Sequence, residues 1–357
     1  MKRTILFLII LSLLSLINCY SNIIDNVRKN LVEKALLSLP KKNNVDILKM
    51  FIAMSKTKEE YSLTDEESAF LIYKWITQNI IYDCSRNELG NNENPTNVYN
   101  LGMGTSKGIS DLFKTMCRYM EIESDIISGY IKKTIKDSEL IAIKDYIWNY
   151  IVINNTYYLI DVSSAMGACE GNEFLKYYTE FYFATNPEFF IRTHFPEENE
   201  WQLLDNIFTK EQFISMAFTT HFYYLYGFKS IYPDSNIING LKETEIILIS
   251  GTNKTKPNII GIVLNSELDY KEINYTNYKF SNGKIELTFD LSDEDIVYFY
   301  VVIQQYIPLE ERNNFTGVVL YKVNHLKKEN ELLKSSTKNN NSLLKELFLK
   351  RKVIKKN

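Results

Sequence analysis

Apolar residues recur at mixed spacings of three and four between residues 23 and 60. Ile24, Val27, Leu31, Leu36, Leu37, Ile47, Met50, Phe51 and Met54 carry the pattern, which predicts helices. Leu39-Pro40 breaks the run. Thr64-Asp-Glu-Glu67 reads as a capping box and starts a helix through Ala69, Phe70, Ile72, Tyr73 and Ile76. Residues 86–96, mixing Asn, Gly and Pro, read as a loop. After Ser106 the helical spacing returns at Leu112, Phe113, Met116 and Met120. From Ser124 to Val162 the period changes to that of strands, at 125–128, 146–153 and 157–162, with Asn154-Asn155 as a hairpin turn. Residues 170–205 read as loops and short helices ending at Trp201. Beyond Phe213, β-rich runs at 243–249, 259–264, 284–290, 297–303 and 317–323, separated by turn residues, predict a small β-sandwich.

Within this frame one stretch carries candidate chemistry. Gly104-Thr-Ser106-Lys-Gly places a hydroxyl at the start of an apolar helix, Tyr146-Ile-Trp148-Asn lies on one strand, and Tyr157-Tyr-Leu-Ile-Asp161 on the next. A thiol at a helix N-terminus, a histidine to take its proton and a carboxylate to orient the imidazole make a nucleophilic site of the papain-like kind. Asp161 supplies the carboxylate, while Ser106 and Tyr146 stand where the thiol and imidazole belong.

Together with Tyr73-Lys-Trp75-Ile-Thr-Gln-Asn79-Ile-Ile-Tyr82-Asp83 upstream, and 182–188 and 194–204 downstream, these motifs resemble the transglutaminase-like superfamily. Within it they resemble the kyphoscoliosis-peptidase type of domain, over roughly residues 60–205. That resemblance implies an α+β fold with a papain-like, transglutaminase-like core, a helix packed on antiparallel sheet, followed by a β-sandwich. It also implies a catalytic triad at Ser106, Tyr146 and Asp161, with the cysteine and histidine replaced. No catalytic residue is therefore expected; the three positions are degenerate. The expected organisation is a signal peptide at 1–19, N-terminal helices at 20–60, the transglutaminase-like domain at 61–210, the β-sandwich at 211–326 and a polar tail at 327–357.

Two further readings weigh on the site. Ser106 is expected to cap its helix through Oγ, a role serine fills for about 1 kcal/mol. A tyrosine at its ordinary pKa of about 10 keeps its proton at neutral pH and cannot act as base. His194 is expected to pack structurally near Trp201. His221 and His325 have no Cys, Asp or Glu at ligand spacing, so no metal or other cofactor is expected. Trp75 and Trp148 read as core.

Composition then bounds the setting. Met1-Lys-Arg-Thr followed by an apolar and serine run over 5–17 suits a signal-peptide core and is too short to span a bilayer. Secretion is expected, with lipid anchoring at Cys19 a minor alternative and no stable membrane insertion. A net charge of −3 over 357 residues suggests no nucleic-acid partner. Past the leader stand Cys84, Cys117 and Cys169: Cys117 on the apolar helix face, the other two in loops where a bridge is open to them if the fold brings them together. Asn154, Asn253, Asn274, Asn314 and Asn340 begin glycosylation sequons, of which Asn154 is best placed. The expected function is a secreted pseudoenzyme that binds a protein, peptide or glycan. The alternative is an acyltransferase or peptidase using Ser106 as a non-standard nucleophile.

Overall fold

A computed structural model describes residues 27–85, 93–132, 142–170, 172–250, 257–267, 269–307 and 312–325. The expected leader, the expected polar tail, and Asn253 and Asn340 lie outside the described residues. The chain divides into two compact units, 1–213 and 214–357.

The first unit opens with helices. α1 (Lys29–Ser38) and α2 (Ile47–Glu60) precede α3 (Asp65–Asn79), whose side chains from Glu67 through Thr77 are all buried. The start of α3 is fixed chemically. Thr64 accepts from the Glu67 N–H and Glu67 returns to the Thr64 N–H, the reciprocal pair the sequence announces. A short helix, α4 (Pro95–Leu101), begins inside the segment read as loop. Its proline occupies the first turn, where no N–H is needed, and Asn94 caps it. α5 (Ser106–Tyr119) buries Ile109, Leu112, Phe113, Met116 and Cys117, one stripe at spacings of three and four. Each large side chain of that stripe contributes about 1.5–3 kcal/mol by leaving water.

The stripe packs on a five-stranded antiparallel sheet. β1 (Glu123–Lys132), β2 (Ala142–Ile153) and β3 (Thr156–Ile160) form its centre, with β4 (Phe183–Thr185) beside β3 and β5 (His194–Pro196) beside β1. Asn154 and Asn155, both at positive φ, close the β2–β3 hairpin between Ile153 and Thr156. Strands within 170–205 therefore correct the reading of that segment as loops and short helices. Their runs of three or four residues are too short to show an alternating pattern. Gly129 sits in β1 because a Cβ there would lie 2.3 Å from the Phe195 carbonyl oxygen and 2.5 Å from the Trp148 ring. β5 can approach β1 only across a glycine. A disulfide joins Cys84 to Cys169, and Cys117 is a buried free thiol.

The second unit is a β-sandwich of two mainly antiparallel sheets. β6 (Phe218–Thr219), β7 (Phe228–Tyr232), β8 (Ile237–Asn239), β9 (Thr244–Ser250) and β10 (Ile259–Leu264) are followed by β11 (Tyr270–Ile273), β12 (Asn277–Ser281), β13 (Lys284–Phe289), β14 (Tyr298–Ile307) and β15 (Arg312–Asn324). One sheet runs β6-β15-β14-β10-β11, with β8 parallel on β15; the other runs β7-β9-β13-β12. Ile246, Leu248 and Phe289 from one sheet meet Ile259, Phe299 and Tyr321 from the other in a single core. Phe289 and Phe299 lie 4.9 Å apart.

Candidate functional site

Three elements converge on Asp161. β3 ends at Ile160, and Asp161 caps the following turn of helix (Val162–Met166) by accepting the Ser164 N–H at Oδ1, 3.0 Å. Its other oxygen, Oδ2, accepts from the Tyr146 hydroxyl at 3.0 Å and from His194 Nε2 at 2.9 Å. Tyr146 comes from β2, and His194 comes from β5 on the far side of β1. Asp161 is 0% exposed, His194 1% and Tyr146 3%, so the cluster is closed to bulk water.

Ionisation follows from this packing. Burial pushes the Asp161 carboxyl up, but the bond and electrostatic attraction to His194 and the bonds from Ser164 outweigh it and hold the carboxyl below its ordinary value. An ionised carboxylate only accepts, so His194 Nε2 carries a proton. His194 Nδ1 meets Thr193 Oγ1 at 2.8 Å, which leaves neither ring nitrogen open. Burial, then the Asp161 charge, raises the Tyr146 phenol well above its ordinary value. Tyr146 is thus held as a neutral donor, with Ser164 Oγ also at 3.2 Å.

Ser106 lies at the same end of the sheet with a different partner. β2 pairs with β3 only from Asn149 onward, and the Ile147 N–H beyond that pairing donates to Ser106 Oγ at 3.3 Å. Among the described residues no imidazole, amine or carboxylate is hydrogen-bonded to this hydroxyl. The expectation that Ser106 caps α5 is corrected: Thr105 is the N-cap residue, and Ser106 is one position inside the helix, where its side chain turns toward β2. The capping role falls to Glu93. Its Oε2 accepts the Gly108 N–H at 3.1 Å and the Thr105 hydroxyl.

The expectation for His194 is also corrected. Its ring stacks on Phe190 at 4.0 Å and meets Trp148, Tyr146 and Tyr182, whereas Trp201 stacks on Tyr150. The physical reason is the register of β5, whose Ile131↔His194 pairing sets the imidazole across β1 from Tyr146. Tyr146 and Asp161 are therefore brought together, Ser106 bonds the residue after Tyr146, and His194 is a member of the cluster that sequence reasoning missed. One signal was present: a lone imidazole within the apolar stretch Phe189-Phe-Ile-Arg-Thr-His-Phe195. Among the described residues no group of three or more His, Cys, Asp and Glu is arranged to hold a metal, and no helix is long and apolar enough to cross a membrane.

Comparison with known proteins bears on the same segment. The sequence profile of the transglutaminase-like superfamily matches residues 53–205. Kyphoscoliosis peptidase of Homo sapiens is 25% identical over 213 residues, 58% of this chain and 32% of that protein. Hillarin of Drosophila melanogaster is 24% identical over 249 residues, 64% of this chain and 28% of that protein. Lim and transglutaminase domain protein ltd-1 of Caenorhabditis elegans is 23% identical over 202 residues, 51% and 27% respectively. The chain thus spans 27–32% of the length of these curated relatives.

Proposed function

With residues 53–205 forming a domain of the transglutaminase-like superfamily, we propose that this chain is a secreted pseudoenzyme, a module that holds a protein, peptide or glycan ligand and does not turn a substrate over. The observation that carries the reading is the state of the proton-handling groups around Ser106. A hydroxyl nucleophile needs a base within hydrogen-bond reach to take its proton. Ser106 Oγ instead accepts from the Ile147 N–H. Tyr146, where the resemblance expects a histidine, is a phenol with a raised pKa that donates to Asp161. The imidazole of the cluster, His194, has both nitrogens engaged, by Asp161 and Thr193.

Asp161 in this reading is a structural carboxylate that orients Tyr146 and His194 and caps a helical turn. Retaining such a framework without its nucleophile and base leaves a surface able to bind. Secretion is part of the proposal. It is supported by the Cys84–Cys169 bridge, since disulfides persist in oxidising compartments.

The test is amine incorporation into a glutamine-donor peptide, together with hydrolysis of that peptide, by the wild type, Ser106→Ala and the double variant Ser106→Cys with Tyr146→His. The proposal expects the wild type and Ser106→Ala to match buffer. Wild-type turnover that Ser106→Ala abolishes would instead establish an acyl-transfer enzyme with a serine nucleophile.

A further inference from the structure

On the outer face of the first unit's sheet stand three aromatic rings, Tyr157 exposed and Tyr150 and Trp201 partly buried. Tyr150 on β2 stacks on Trp201 at 4.5 Å and 16°, and Tyr157 on β3 stands edge-on to both, 5.4 Å from Tyr150 and 5.7 Å from Trp201. Tyr157 is 41% exposed. Strand register puts acids beside them: Asp125 pairs across from Tyr150, and Val152 lies between Glu123 on one side and Tyr157 on the other. Glu198 completes the rim by accepting the Trp201 Nε1–H at 3.2 Å. Glu123 and Glu198 are exposed.

Elsewhere in the same unit the protein covers ring faces with its own cations. Lys74 lies over Phe70 and Tyr178, Lys132 over Phe213, and Lys210 over Tyr130 at 3.7 Å. Among the described residues no lysine or arginine lies over Tyr150, Tyr157 or Trp201. Lys114 reaches Asp125 alone, through a carboxylate contact. Aromatic faces carry negative potential and attract ammonium and guanidinium groups, the more so beside carboxylates.

We propose that Tyr150, Tyr157 and Trp201, with Glu123 and Glu198, form a binding site for a lysine- or arginine-bearing peptide segment of a partner protein. The charge at the rim favours a cation, whereas a neutral sugar would meet the same carboxylates only through hydroxyl hydrogen bonds. The stacked pair is fixed in the folded unit, so little side-chain freedom is lost on binding. The inference rests on reading the domain as a binding module and narrows the ligand class of that reading.

The test uses the full chain and the fluorescence of Trp201. Trp75 and Trp148 are 2% and 1% exposed, so added ligand should report through Trp201. The probes are a capped peptide of four Gly-Lys repeats, the matching Gly-Ser and Gly-Glu peptides, and chitohexaose. Binding is expected for the Gly-Lys peptide alone, weakening as salt is raised. Tyr157→Ser should weaken it about two- to fivefold, the worth of one exposed cation–π contact. Glu123→Gln with Glu198→Gln, two surface changes whose fold is to be checked by circular dichroism, should weaken it about tenfold at low salt. Tyr270→Ser, in the other unit and 77% exposed, should change nothing. Absence of Gly-Lys binding, binding unmoved by the rim variants, or a response to chitohexaose in its place overturns the proposal. None of these outcomes touches the turnover assay, and turnover abolished by Ser106→Ala would remove the pseudoenzyme reading without deciding this site.

Discussion

Replacing Asp161 by alanine should unfold the first unit far more readily than any change at Ser106. The carboxylate accepts three bonds, from the Ser164 N–H, the Tyr146 hydroxyl and His194 Nε2, and is wholly buried. Its removal leaves the imidazole without an acceptor inside the core and takes away a helix cap. Each buried donor left without its acceptor costs about 1–3 kcal/mol, so losing the acceptor of the Tyr146 hydroxyl and His194 Nε2 together with the Ser164 cap should cost about 3–5 kcal/mol. Asp161→Asn keeps an acceptor for Ser164 and allows His194 to change tautomer, so it should cost about 1–3 kcal/mol. All three tryptophans lie in the first unit, so urea unfolding followed by tryptophan fluorescence reports on that unit alone. With a slope of about 2 kcal/mol per molar urea, the alanine variant should lower the midpoint by about 1.5–2.5 M and the asparagine variant by about half as much. A midpoint within about 0.5 M of wild type for Asp161→Ala would refute the view that this cluster holds the unit together.

Acid should weaken the same unit in a defined window. Glu67, bonded to Arg28 and Thr64, has its carboxyl lowered to about 2, so the unfolded chain binds its proton first. The stability it contributes is full above the ordinary glutamate value of about 4.3 and is lost as pH falls from there toward about 2. Asp161, also lowered, acts with the same sign, and Glu67→Gln should flatten the urea midpoint against pH across that window. Reduction of Cys84–Cys169 should cost about 2–4 kcal/mol. Urea midpoints with and without reductant should differ for the wild type and coincide for Cys84→Ser with Cys169→Ser.

Much of this arrangement is legible along the chain because local chemistry sets it. The capping box of Thr64 and Glu67, the paired asparagines of the β2–β3 turn and the apolar stripe of α5 are short-range signals, and the structure realises each. The Tyr146–Asp161 bond follows from the two strands that this turn joins. His194 was not legible in the same way. It lies 33 positions beyond Asp161 on a strand of three residues, and only the pairing of β5 against Gly129, Tyr130 and Ile131 brings it to the carboxylate. Ser106 reads as a cap only through a shift of one position, because Thr105 and Ser106 are chemically equivalent as caps and differ only in where the first helical turn begins. α4 was hidden by its proline and asparagines, which read equally as loop or as helix start.

Any acyl transfer from the Ser106 hydroxyl would pass through an ester at its Oγ, so the central claim can be tested on the intact protein. The wild type is incubated with a p-nitrophenyl ester and, separately, with a glutamine-donor peptide, quenched in acid, and its mass measured beside Ser106→Ala. Each protein should keep its own unmodified mass. An acyl adduct on the wild type that maps to Ser106 and is missing from Ser106→Ala would contradict it.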